Sequence, residues 1–124
     1  MNPLRFILSL FQPVPRVRPA EIAARVRAGE VVLIDVREPA EWADGIAQGA
    51  VPLSLRDLSG RRGQWGPFLA AHDGRELAFY CGHGVRASMA ARVLRREGHR
   101  TLNTGSLRDW VAAGWPVVRP ARKS

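Results

Sequence analysis

The hexapeptide Cys81-Gly82-His83-Gly84-Val85-Arg86 contains the single cysteine of this 124-residue chain. The apolar run at 77–80 is typical of a buried strand, and apolar residues at helical spacing follow from 87 to 97. The thiol is therefore predicted on a turn between a strand and a helix. The two glycines allow a tight turn whose backbone N–H groups form an anion-binding nest at the positive end of the helix. Such surroundings stabilise a thiolate, so we interpret Cys81 as a nucleophile in an anion cradle.

A lone cysteine in a small domain can instead be an inert, apolar core residue. Here the neighbouring glycines, the arginine five residues later and the helix start behind the turn favour the nucleophile. His83 is a candidate to tune the thiolate or to contact substrate, but a loop histidine can equally be a solvated surface residue.

The composition is that of an ordinary water-soluble globular protein, because 46% of the residues are hydrophobic and 24% are charged. One cysteine excludes an internal disulfide, so the fold needs no oxidising compartment and we expect a cytoplasmic location. The net charge of +8 is carried by arginine, since Lys123 is the only lysine among 19 basic residues. These arginines are scattered and no nucleic-acid motif accompanies them. We therefore expect attraction for small anions and no nucleic-acid partner.

The chain divides into three parts. Residues 1–12 form an apolar extension that is too short to cross a membrane and lacks the pattern of a signal peptide. We interpret it as a short helix on the domain surface or as a weak anchor, and its apolar tip at 4–11 would also suit docking to a partner. Residues 13–120 form one domain, and residues 121–124 are a basic tail.

Strands are predicted at 16–18, 31–34, 49–53, 77–80 and 100–103, the third an edge strand because Pro52 interrupts it. Helices are predicted at 19–28, 39–44, 87–97 and 107–113, with a polar loop at 57–66 and one helical turn at 67–71. Strands that alternate with helices indicate an α/β fold with a mainly parallel sheet. In such sheets ligands bind at the carboxyl ends of the strands, where Cys81 is predicted to lie.

Three ordered motifs resemble the signatures of the rhodanese family. They are Ile34-Asp35-Val36-Arg37-Glu38-Pro39-Ala40-Glu41-Trp42 with the later Gly49-Ala50, the Cys81 loop, and Gly105 and Trp110 with Gly114-Trp115-Pro116-Val117. The resemblance covers about 14–118. It implies a single rhodanese domain with a five-stranded, mainly parallel sheet and helices on both faces. The chain departs from the family's signatures at two places, Gly45-Ile46-Ala47-Gln48 and Gly105-Ser106. Both positions are structural in the family, so we expect these differences to affect local packing and not the fold.

The resemblance implies sulfur transfer. A Cys81 thiolate would take the outer sulfur of a small anionic donor such as thiosulfate. The persulfide would pass it to cyanide, a thiol or a protein acceptor, with no metal or other cofactor. The family's site residues fall here on catalytic Cys81 and Arg86, and on substrate-binding Gly82, His83, Gly84, Val85 and Arg86. Loop N–H groups would hold the persulfide, and Arg86 would position the donor's oxyanion. Asp35 and Arg37 are expected to form a structural ion pair.

Three alternatives stay open. Phosphatases and arsenate reductases with a similar loop place five residues between cysteine and arginine, whereas four intervene here, so the loop length favours sulfur over phosphorus. The opening Cys-Gly-x-Gly-Val resembles mercaptopyruvate sulfurtransferases, which have threonine at the position of Arg86. The arginine favours thiosulfate or a protein persulfide donor. A persulfide carrier or binding module that acts only with a protein partner would also keep Cys81 and its loop.

Overall fold

The computed structural model describes residues 3–4 and 13–120, so most of the predicted N-terminal extension and the predicted basic tail lie outside the described residues. The elements follow in the order α1 (Pro19–Arg27), β1 (Val31–Asp35), α2 (Pro39–Trp42), β2 (Ile46–Ala47), β3 (Val51–Pro52), α3 (Leu55–Ser59), α4 (Trp65–Ala71), β4 (Glu76–Cys81), α5 (Val85–Arg96), β5 (Thr101–Ser106), α6 (Leu107–Ala112) and β6 (Val117–Val118). No helix within the described ranges combines the length and the apolarity needed to cross a membrane.

Four strands form a parallel sheet in the order β3-β1-β4-β5, which confirms the predicted α/β fold. The two central strands carry the long apolar runs, because helices cover both of their faces. Beyond β5, Arg16 forms a single parallel bridge with Asn103. The predicted first strand is thus reduced to one bridge at the position of a fifth strand. β3 lies at one edge of the sheet, as its proline predicts.

Two apolar cores lie on opposite faces of the sheet. On one face, α3, α4 and α5 bury a cluster that includes Leu58, Trp65 and Leu94. On the other face, α1 and α6 bury Ile22 and Trp110 against the central strands. Burial of this apolar surface on both faces fixes the sheet between its helices.

The segment from 55 to 71 is more helical than the sequence predicts, because α3 and α4 replace much of the expected polar loop. Ser54 caps α3 by accepting a hydrogen bond from the Asp57 N–H (3.1 Å). The Asp57 carboxylate accepts hydrogen bonds, each 3.0 Å long, from the N–H groups of Gly63, Gln64 and Trp65, which fixes the turn into α4. Polar composition alone does not distinguish such caps from an irregular loop.

A second sheet pairs β2 with β6 antiparallel, and the sequence pattern predicts neither strand. Two-residue strands carry too short a pattern to be found from sequence. This ribbon begins just after Gly45, whose φ is +134°. A Cβ at that position would lie 2.5 Å from Val117 Cγ1, so the ribbon and the backbone angle together require glycine there.

Asp35 and Arg37 form a buried ion pair where β1 ends, with residue exposures of 0% and 8%. Arg37 Nη2 donates to Asp35 Oδ2 (2.8 Å) and to the Gly45 carbonyl oxygen (2.7 Å). Asp35 Oδ1 accepts a hydrogen bond from Trp42 Nε1 (3.2 Å). The pair therefore ties the end of β1 to α2 and to the segment before β2, a structural role of the kind that the family resemblance implies.

We predict that Arg37→Met lowers the free energy of unfolding by about 3–5 kcal/mol, because it leaves the Asp35 carboxylate buried without its partner. Urea unfolding followed by tryptophan fluorescence measures the change. Arg25→Met is the matched control, since Arg25 pairs with Glu76 at the surface (2.6 Å) and such pairs contribute about 1 kcal/mol or less. A loss for Arg37→Met no larger than that of the control would contradict the structural role.

Candidate active site

Cys81 is the last residue of β4, so its thiol lies at the carboxyl edge of the parallel sheet. The residue is 1% exposed. Sγ accepts hydrogen bonds from the N–H groups of Gly84 (2.9 Å) and Ala87 (3.3 Å). The sulfur thus faces two backbone donors at the start of α5, an arrangement that stabilises negative charge on sulfur.

The turn around the thiol depends on Gly84, which precedes the first residue of α5 and has a φ of +92°. Only glycine adopts this conformation without strain, and a Cβ there would lie 3.6 Å from the Gly105 Cα. The Asn103 amide nitrogen donates to the Gly84 carbonyl oxygen (3.4 Å). β5 bulges beside Cys81, where it has one residue more than β4. Because the turn closes at Gly84, α5 begins two residues earlier than the sequence predicts.

Arg86, in the first turn of α5, forms a bidentate ion pair with Glu41 of α2. Nη1 donates to Oε1, and Nη2 donates to Oε2 at 2.8 Å. The two side chains are 31% and 35% exposed. Hydrogen bonding from Arg86 lowers the pKa of Glu41 from 4.5 to about 2, so the carboxylate is ionised at neutral pH. The arginine that the family resemblance assigns to the donor's oxyanion is therefore already paired with an anion.

The rim of the site is more accessible than the thiol. His83 is exposed, and Val85 and Met89 on the first two turns of α5 are 67% and 51% exposed. On the β5 side, a guanidinium nitrogen of Arg16 lies 3.8 Å from the position that a Gly84 Cβ would take. Among the described residues, no hydrogen bond or ion pair engages this guanidinium. The rim therefore carries an apolar helix turn and two guanidinium groups, one of them neutralised.

The structure brings the predicted site residues of the hexapeptide together, and it adds Glu41 and Arg16, which the sequence pattern does not indicate. Glu41 lies in the first motif, where helix capping alone explains an acidic residue: its Oε1 accepts a hydrogen bond from the Glu38 N–H (3.0 Å). Arg16 is one of many scattered arginines, and only the bridge beside β5 places it near the loop.

Comparison with known proteins identifies relatives of this architecture. The family model for the rhodanese-like domain matches residues 18–113. A protein of Allochromatium vinosum named sulfurtransferase is 31% identical over 93 residues, which are 73% of this chain and 81% of that protein. A rhodanese-related protein of Thermoplasma volcanium has a similar solved structure. Its TM-score is 0.71 at 23% identity, over 86% of this chain and 99% of that one.

A longer relative shares only part of its length with this chain. An HTH-type transcriptional regulator of Mycobacterium tuberculosis is 34% identical over 113 residues, or 87% of this chain. Those residues are 46% of the regulator, so this chain spans about half the length of that relative.

We predict that the Glu41 side chain is still ionised at pH 3.5 in the wild-type protein and titrates closer to pH 4.5 in Arg86→Gln. Because the folded-state pKa of Glu41 is lowered, the ion pair contributes stability above about pH 4.5 and loses it as the pH falls towards 2. Carbon-13 NMR of the side-chain carboxyl group measures the titration.

Arg62→Gln is the matched control for this titration, since it removes another bidentate pair, with Glu97, at the far end of α5 (2.7 and 2.8 Å). The control should leave the Glu41 titration unchanged. If Arg86→Gln also left it unchanged, Arg86 would not be the cause of the lowered pKa.

Proposed function

This chain belongs to the rhodanese-like domain family, and from that premise we propose that it transfers sulfane sulfur from thiosulfate, or a similar donor, to a thiophilic acceptor through a persulfide on Cys81. The Allochromatium relative that carries the name sulfurtransferase supports sulfur transfer as the general activity. The observation that carries the proposal is the pair of backbone N–H groups that donate to Cys81 Sγ.

The proposed cycle has two covalent steps. In the first, the Cys81 thiolate attacks the outer sulfur of thiosulfate. A new S–S bond forms, the bond to the sulfite sulfur breaks, and sulfite leaves with the bonding electron pair. In the second, cyanide or a thiolate attacks the outer sulfur of the persulfide and regenerates the Cys81 thiolate. The products are thiocyanate or a new persulfide, and charge balances in both steps.

The loop residues have distinct roles in this cycle. The N–H groups of Gly84 and Ala87 hold negative charge on the Cys81 sulfur, and because they are fixed by the turn they need little reorganisation during the reaction. His83 and Val85, which are exposed, line the approach of donor and acceptor. Gly84 allows the turn to curl around the sulfur through its positive φ, and Gly82 leaves room for the Arg86 guanidinium.

Thiosulfate or a protein persulfide is the proposed donor in preference to mercaptopyruvate, because the loop ends in Arg86, where the mercaptopyruvate sulfurtransferases have threonine. Thiols and cyanide are the proposed small acceptors. A reducing compartment would keep the single thiol free for the reaction, so the cytoplasm is the proposed location.

We predict that thiosulfate adds one sulfur atom to the intact mass of the wild-type protein and that cyanide removes it again. Cys81→Ser should never gain this sulfur, because a hydroxyl group cannot form the persulfide. Intact-protein mass spectrometry measures both results, and circular dichroism checks that the variant is folded. No adduct on the wild type with either thiosulfate or mercaptopyruvate, or an adduct on the serine variant, would overturn the proposal.

A persulfide carrier that serves only a protein partner is the second candidate function, favoured by the exposed apolar pair Val85 and Met89 beside the loop. The two candidates differ in the second step. A sulfurtransferase for small acceptors should pass its sulfur to cyanide about tenfold faster, or more, than N-acetylcysteine persulfide does in solution, because the site orients the reacting sulfur. A carrier should be no faster. Rapid-quench measurement of thiocyanate separates them.

A further inference from the structure

Glu41 engages both terminal nitrogens of the Arg86 guanidinium, a pair of donors that would otherwise suit an oxyanion. Both carboxylate oxygens accept hydrogen bonds from Arg86, so its planar fork is fully engaged on that side. We propose that Glu41 is a donor-selecting residue, which lowers the attraction of the site for doubly charged sulfur donors more than for singly charged ones. This inference rests on the proposed sulfurtransferase function.

The ion pair lies directly against the residue that follows the thiol. A Cβ at position 82 would lie 3.0 Å from Arg86 Nη2 and 3.8 Å from Glu41 Oε2. A donor that approaches Cys81 past Gly82 therefore comes close to a carboxylate as well as to a guanidinium. Because both groups are only about one-third exposed, water screens their charges incompletely.

Glu41 cancels the charge that Arg86 would otherwise present to a donor. Glu38, at the start of the same helix, also acts electrostatically on Arg86. The attraction for an anion at this side of the loop is therefore weaker than the sequence implies. Removal of one negative charge should help any anionic donor, and the gain in free energy should be proportional to the donor's own charge.

Two donors of different charge test this proportionality. Thiosulfate carries two negative charges and releases sulfite, whereas methanethiosulfonate carries one and releases methanesulfinate. In each case the Cys81 thiolate takes the outer sulfur, the S–S bond of the donor breaks, and the leaving group departs with the electron pair. The persulfide is the same, so the second step is identical for both donors. In such a two-step cycle, kcat/KM for the donor reports only the first step.

We expect Glu41→Gln to raise kcat/KM about tenfold for thiosulfate and about threefold for methanethiosulfonate, which corresponds to roughly threefold per unit of donor charge in a partly screened site. Glutamine keeps an oxygen that can accept a hydrogen bond from Arg86, so the helix contact is retained without the charge. The ratio of the two kcat/KM values should therefore rise about threefold, and the rise should shrink in high salt.

Glu97→Gln is the matched control, because Glu97 forms a bidentate pair of similar geometry with Arg62 away from the loop. It should leave the ratio unchanged. If Glu41 had only a structural role, Glu41→Gln would change both kcat/KM values by the same factor, and an unchanged or lower ratio would overturn the inference while leaving the proposed function intact. If the wild-type protein took sulfur from neither donor, the proposed function itself would be overturned.

Discussion

The buried ion pair of Asp35 and Arg37 is the interaction on which the edge of the sheet that carries the Cys81 loop depends. A fully buried carboxylate must keep its partner, and this requirement holds the end of β1, Trp42 and the Gly45 carbonyl group in one arrangement. Trp42 ends α2, so the same contacts orient the helix that carries Glu41. Through its ion pair with Arg86, Glu41 then positions the first turn of α5 relative to α2. The Cys81 loop is therefore held by the strand that precedes it and by the Asp35–Arg37 and Glu41–Arg86 ion pairs beside it.

The strand, turn and helix around Cys81 could be predicted because two strong local signals meet there. A continuous apolar run precedes the cysteine and apolar residues at helical spacing follow it, with glycines between them. The same signals give the parallel sheet and its edge strand. They do not give α3, because the capping interactions of Ser54 and Asp57 depend on a few polar atoms within a segment that also has the composition of a loop.

The sequence does not predict the ion pair between Glu41 and Arg86 either, and the reason differs from the one that applies to α3. Glu41 and Arg86 are 45 residues apart, and each has a sufficient local explanation, one as a helix cap and the other as part of the loop. Only the fold places α2 beside the start of α5. The groups that donate hydrogen bonds to Sγ itself are neutral backbone N–H groups, whereas the Arg16 guanidinium lies on the rim of the loop. The attraction of these N–H groups for negative sulfur therefore depends less on salt than that of an unpaired guanidinium would.

The burial of Cys81 has a consequence for the regiochemistry of the proposed persulfide. A persulfide has two sulfur atoms that a nucleophile can attack, and attack on the inner one would release hydrosulfide and join the acceptor to the protein as a mixed disulfide. Sγ accepts hydrogen bonds from two N–H groups of the turn and the residue is 1% exposed, so the added, outer sulfur of the proposed persulfide would be the more accessible of the two. In the proposed cycle, the fold would therefore favour attack on the outer sulfur. A thiol acceptor would depart carrying the sulfur and would not become trapped on the protein.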